Sequence, residues 1–175
     1  MSELINFLLK NRENKRVLAC LRQGLVETTE FRAWPLLARY GGIGHDFKAH
    51  VIRTVAGLFA YHPNMIHIGN IGTTCRQLCD PEVEKPWEDM DANGKVLRPG
   101  PVSRKFGYLL AAERDEICDR VIRIVLYAKS KEIPVNYDAL ENDLVKWPRS
   151  REFWARAFWG GDRTEKSETD GGDAS

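Results

Sequence analysis

The chain has 175 residues, 43% hydrophobic and 29% charged, with a formal net charge of +1. That is enough apolar material for one domain with a core of its own. No apolar run approaches the roughly 18 residues of a membrane-spanning helix. The start, Met1-Ser2-Glu3-Leu4-Ile5, lacks the basic region of a signal peptide. With only four sparse cysteines, the expectation is a cytoplasmic protein with free thiols. The small net charge hides an uneven distribution. Residues 80–91 carry six acids against Lys85, a net −5, and residues 161–175 carry five acids against Arg163 and Lys166, a net −3. The rest of the chain is therefore +9, basic enough for a polyanionic partner.

Helical spacing dominates along the chain and β-alternation is nearly absent. The expected fold is all-α, a single-domain bundle of about eight or nine helices over residues 1–160. Ser2 is the N-cap candidate of the first helix, and a second covers residues 15–24 with Val17, Leu18 and Leu21 on one face. A third is expected over 29–40, with Pro35 in its first turn and Gly41-Gly42 as its stop. A long helix over 46–61 carries a stripe of Phe47, Val51, Val55 and Leu58, and His62-Pro63-Asn64 ends it. A short helix follows over 71–79. Residues 80–101 hold Pro81, Pro86, Pro99, Pro101 and Asn93-Gly94, the marks of a mobile surface loop. Ser103 is the N-cap candidate of the next helix. Residues 113–130 form the clearest amphipathic helix, with Ile117, Val121, Ile124, Val125 and Ala128 on its apolar face. Asn136 caps a helix that Pro148 breaks, and a last helix runs over 149–159. Gly57 and Gly107 are read as points of close helix packing. The Gly/Ser/Thr/acid-rich tail, 161–175, is expected to be disordered.

The basic residues carry the functional signal. Nine Lys/Arg against four acids lie between residues 92 and 131. Helical spacing gathers Arg120, Arg123 and, further on, Lys131 on one ridge beside Tyr127. Arg149, Arg151 and Arg156 make a second patch. Phosphate binding needs such convergence, because each neutralised phosphate releases condensed counterion. The bland reading is internal pairing at i, i+4, as Glu116–Arg120 and Asp119–Arg123. Trp34, Trp147, Trp154 and Trp159 are candidates for base stacking or, given their apolar neighbours, for core and partner anchors. His45-Asp46 with His50 is a fragment of a nuclease metal set, against a plain helix N-terminus with Asp46 facing the dipole. The spacing of His62, His67, Cys75 and Cys79 fits no common zinc pattern, and buried thiols are the simpler reading. No cofactor or metal is expected, and no phosphate loop, dinucleotide fingerprint or nucleophile elbow is present.

Several stretches in this order resemble the CasB small-subunit family of type I-E Cascade, a CRISPR interference complex. They are WPLLARY from Trp34, HVIRTVAGLFAYHP from His50, NIGTTCRQLC from Asn70, LLAAERDEICDRVIRIV and KSKEIPVNYDALENDLVKW within residues 104–147, and FWARAFW from Phe153. Together they span about residues 14–159. The resemblance implies an all-helical, non-catalytic subunit of which two copies sit head to tail in the complex. Its implied partners are the backbone CasC subunits, the large CasA subunit, the guide RNA–target DNA hybrid and the displaced strand. Cutting would fall to a separate helicase-nuclease. By position, the implied backbone contacts are Arg22, Arg53, Arg104, Lys105, Arg114, Arg123, Arg149 and Arg151, with Arg120 added by its place on the ridge. The acidic 80–91 segment and the acidic tail depart from a minimal family member and put nearby basic contacts in doubt. Two other readings stand beside this one. A pure scaffold would bridge larger proteins through Trp154, Phe158 and Trp159, and a metal- or thiol-dependent enzyme would centre on His62, His67, Cys75 and Cys79.

Overall fold

Short polar side chains open most of the helices. The computed structural model describes residues 1–88, 91–93, 95 and 98–160. The expected disordered tail and residues 89, 90, 94, 96 and 97 of the 80–101 segment lie outside the described residues. Ser2 Oγ accepts from the Ile5 N–H at 3.2 Å at the head of α1 (Glu3–Lys10). Asn14 caps α2 (Lys15–Arg22) in the same way, Asp46 caps α4 (Phe47–Tyr61), and Asn136 caps α8 (Tyr137–Val145). Asn70 and Thr73 exchange bonds in a reciprocal capping box at the start of α5 (Ile71–Leu78). The remaining helices are α3 (Trp34–Leu37), α6 (Pro101–Leu110), α7 (Ile117–Ser130) and α9 (Arg151–Trp159). Among the described residues the architecture is all-α, and extended pairing is confined to an isolated parallel bridge between Met65 and Val135.

Several expectations need correction. The 29–40 segment is not one helix but α3 between two 3₁₀ turns, Glu30–Arg32 and Ala38–Tyr40. Thr29 does not cap it; its hydroxyl donates back to the Gln23 carbonyl at 3.0 Å, so the chain turns tightly before α3 starts. Pro35 does occupy the first turn of α3, and Gly41 ends the segment at φ +84°. Ser103 is not an N-cap either, because α6 begins at Pro101, with Pro in the first turn. The clear amphipathic helix starts at Ile117 rather than 113, after a turn.

α4 is the centre of the fold. Eleven of its 15 residues are buried, including Arg53 and Thr54. The single stripe expected for it is too narrow, since Phe47 is only half-buried while small residues on the other faces admit neighbours on nearly every side. α1, α2, α7 and α8 pack around it, and α5 pairs with α9 while also touching α6 and α7. Ser2 ties α1 to α8 through Asp138 and Glu141. Gly57 is a true close approach: a Cβ there would meet the Leu25 side chain and the Leu21 carbonyl. Gly107 is not, since a Cβ there meets nothing within 4 Å. Gly107→Ala is therefore expected to raise stability by about 0.5–1 kcal/mol through helix propensity alone, read as a higher midpoint of thermal unfolding.

Candidate nucleic-acid interface

α6 and α7 lie side by side and hold basic side chains along a common groove. Lys105, Tyr108 and Leu109 line it from α6, and Arg120, Arg123 and Ile124 line it from α7. Arg123 is exposed, and the expected Asp119–Arg123 pair is not formed among the described residues. Arg120 differs. Its guanidinium sits 3.7 Å from the Tyr108 ring centroid, donates to the Tyr108 carbonyl at 2.5 Å and pairs with Glu116 at 2.8 Å. That residue follows the internal-pairing reading and braces α7 against α6.

The row continues past the groove. The Lys105 and Lys131 ammonium groups lie 5.0 and 6.0 Å from the Tyr127 ring centroid. Beyond them Lys129 and Arg22 lie 5.4 and 5.3 Å from the Tyr61 ring. Each tyrosine thus holds two like charges near one another by cation–π attraction. Arg22 is anchored further, because its Nε and Nη2 both donate to the Ala60 carbonyl, at 3.0 and 2.9 Å, near the C-terminal end of α4. Sequence reasoning singled out Tyr127 but missed Tyr61 and Lys129 as parts of the row. Nothing in their spacing signals it, since α4 and α7 meet only in the fold.

The remaining candidates divide. Arg104 is exposed on α6. Arg114 is exposed and stacks 4.4 Å from the Phe47 ring centroid, with Nη2 3.4 Å from the Val145 carbonyl. Arg151 is half-buried, stands over Trp147 and donates weakly to the Ala112 carbonyl at 3.4 Å. With exposed Arg149 these form a second, looser group near the end of α8. Arg156 pairs through one nitrogen with Glu152 on its own helix. Arg53 is a correction to the surface reading: it is 3% exposed, donates to the Gly42 and Gly44 carbonyls at 2.8 Å each, and faces Glu30 at 3.3 Å. Its charge is consumed inside the fold.

The other constellations do not gather into sites. Trp147 and Trp154 are core residues with ring centroids 4.8 Å apart, and Phe158 is fully buried, so bridging through Trp154 and Phe158 has no exposed surface to use. His62 is buried and bonded to the Ile133 carbonyl at 2.7 Å, whereas His67 is exposed. Burial raises the Cys75 thiol above its ordinary range and pushes Cys79 up to about 12, so both stay protonated and poor as nucleophiles or ligands. His45 and His50 line a cavity with Glu30, Asp115 and Asp119. Burial, then the neighbouring Arg53, lowers the His50 pKa. Among the described residues no group of three or more His, Cys, Asp or Glu is placed to hold a metal ion, and no helix is long and apolar enough to cross a membrane.

This arrangement of helices is that of helical CRISPR-associated proteins solved from several bacteria. CasB from Thermus thermophilus is 22% identical with a TM-score of 0.63, covering 91% of this chain and 99% of its own. M. ruber CasB is 22% identical with a TM-score of 0.64, covering 91% and 94%. CasB from Thermobifida fusca is 19% identical with a TM-score of 0.59, covering 87% and 88%. No curated protein matches the chain in sequence. The chain belongs to the CRISPR-associated protein Cse2 family, whose sequence profile matches residues 17–159.

Proposed function

We propose that this chain is the non-catalytic small subunit of a CRISPR RNA-guided complex, and that the α6–α7 row holds nucleic-acid backbone. The observation that carries this reading is the groove of Lys105 and Arg123 continued by Lys131 on Tyr127. Exposed cations on rigid helices contact phosphate without reading sequence. Opening a duplex against a guide RNA is nearly balanced in energy, so a few such contacts tip it. The partners on this reading are guide RNA, target DNA with its displaced strand, the CasC and CasA subunits and a second copy of the chain. Arg104, Lys105 and Arg123 form the main track, extended by Arg22, while Arg120 braces α7 against α6 beneath it. Arg114, Arg149 and Arg151 form a second contact group, and Arg53 is left out.

Charge reversal at Arg123 tests the track. Binding of single-stranded DNA, followed by fluorescence anisotropy across a salt series, is expected to weaken. The slope of log affinity against log salt should become shallower by about 0.7 or more, the share of one lost phosphate contact. Helicity by circular dichroism stays unchanged. An Arg123→Glu variant that binds with the parent's affinity and slope would remove Arg123 from the interface and overturn the proposed track.

A further inference from the structure

A cavity of about 590 Å³ opens between α5, α9 and the start of the acidic segment, on residues that the α6–α7 row does not use. That volume lies in the range of small-molecule sites. Arg76 of α5 is half-buried, and its guanidinium sits 4.4 Å from the centroid of the Trp87 ring, which also lines the cavity. Among the described residues Arg76 takes part in no ion pair, although the segment beside it is strongly acidic. Its N–H fork is thereby held in place by the indole and left with donors to give. Arg156 of α9 supplies a second guanidinium, bound to Glu152 through one nitrogen. Thr73 Oγ accepts from the Asn70 N–H at 3.2 Å and keeps its own proton to donate, and the Gln77 amide is exposed.

We infer that this cavity is a nucleotide-binding pocket in which Arg76 and Arg156 take the phosphate and Trp87 takes the base. A guanidinium fork matches phosphate bidentately, and an indole stacks any base by its π-face. Thr73 and Gln77 offer hydrogen bonds to sugar or base edge. The acidic segment sets the length of the ligand. The exposed acids Asp80, Glu82 and Glu88, which flank the lining residues Pro81 and Trp87, repel a continuous strand. One nucleotide, whose phosphate meets two guanidiniums, is tolerated. The pocket is thus distinct from the α6–α7 track and takes either a free mononucleotide or a single unpaired nucleotide of a strand.

The test uses the full chain and two probes, etheno-AMP and an oligothymidylate carrying one 2-aminopurine, each followed by its own fluorescence. At least one probe is expected to bind. Arg76→Gln and Trp87→Leu are each expected to weaken that binding on the order of tenfold or more, the effect of losing one stacked base or one bidentate contact. Arg123→Glu should leave the etheno-AMP response unchanged, so failure of the track and failure of the pocket are read separately. A response of etheno-AMP assigns the pocket to free nucleotide; a response of 2-aminopurine alone, weakened by Arg76→Gln and by Trp87→Leu, assigns it to a strand. Absence of binding to either probe, or equal binding by the parent and both variants, would overturn the proposal.

Discussion

Replacing Arg53 with alanine is expected to destabilise the fold by about 3–5 kcal/mol, a large fraction of the stability of a small domain. The reason is the number of groups that depend on one guanidinium. Arg53 is 3% exposed at the middle of α4 and satisfies the Gly42 and Gly44 carbonyls at 2.8 Å. It also faces Glu30 at 3.3 Å, with the Glu30 side chain only 12% exposed. Alanine would leave that carboxylate without its partner in a poorly solvated place, together with two unpaired carbonyls. Lysine would keep the charge but not the fork, so it should fall between the two. Urea unfolding followed by circular dichroism gives the measurement. Below its own midpoint, Arg53→Ala should bind single-stranded DNA with the parent's salt slope, because the guanidinium never reaches the surface. A folded variant with a flattened slope would mean that Arg53 contacts phosphate directly, against its buried position.

The contrast between Arg53 and Arg123 shows where sequence reasoning reaches its limit. Both are arginines within helices, and both sit among apolar neighbours at helical spacing. α7 has one apolar face, so the outward position of Arg123 was legible. α4 is enclosed on nearly all sides, and its buried arginine looks the same in the sequence as an exposed one. The N-caps Ser2, Asp46 and Asn136 and the stop at Gly41 were legible because their chemistry is local. The broken helix over 29–40 was not, since Thr29 bonds backward to Gln23 rather than forward. The pairing of cations on Tyr61 was equally invisible. Tyr61 and Lys129 are 68 residues apart in the chain, and only the packing of α4 against α7 sets one over the other.

The acidic segment gives the other large effect. Glu84→Ala is expected to destabilise the protein by about 2–4 kcal/mol, with the loss concentrated at the start of α6. Composition alone assigns residues 80–101 to a mobile surface loop, yet Glu84 is only 4% exposed. Its carboxylate accepts from the Val102 N–H at 2.7 Å, the Ser103 N–H at 3.1 Å and the Ser103 hydroxyl at 2.7 Å. It therefore does from a distance what an N-cap side chain does locally, and it sets a negative charge against the positive end of the helix. Gly100 makes room for it, because a Cβ there would collide with that same carboxylate. Glutamine keeps one acceptor oxygen but not the charge, so Glu84→Gln should lose about half as much. Hydrogen exchange locates the effect: the Val102 and Ser103 amides should lose protection in Glu84→Ala while those of α4 keep it. Equal loss across all helices would mean a global defect with no special part for this cap. α6 carries Arg104 and Lys105, so a frayed first turn should also weaken binding of single-stranded DNA, although no cation is removed. One acid of the segment thus holds the basic row in place, and its partners are two backbone amides and a hydroxyl rather than the cations that net charge would have assigned to it.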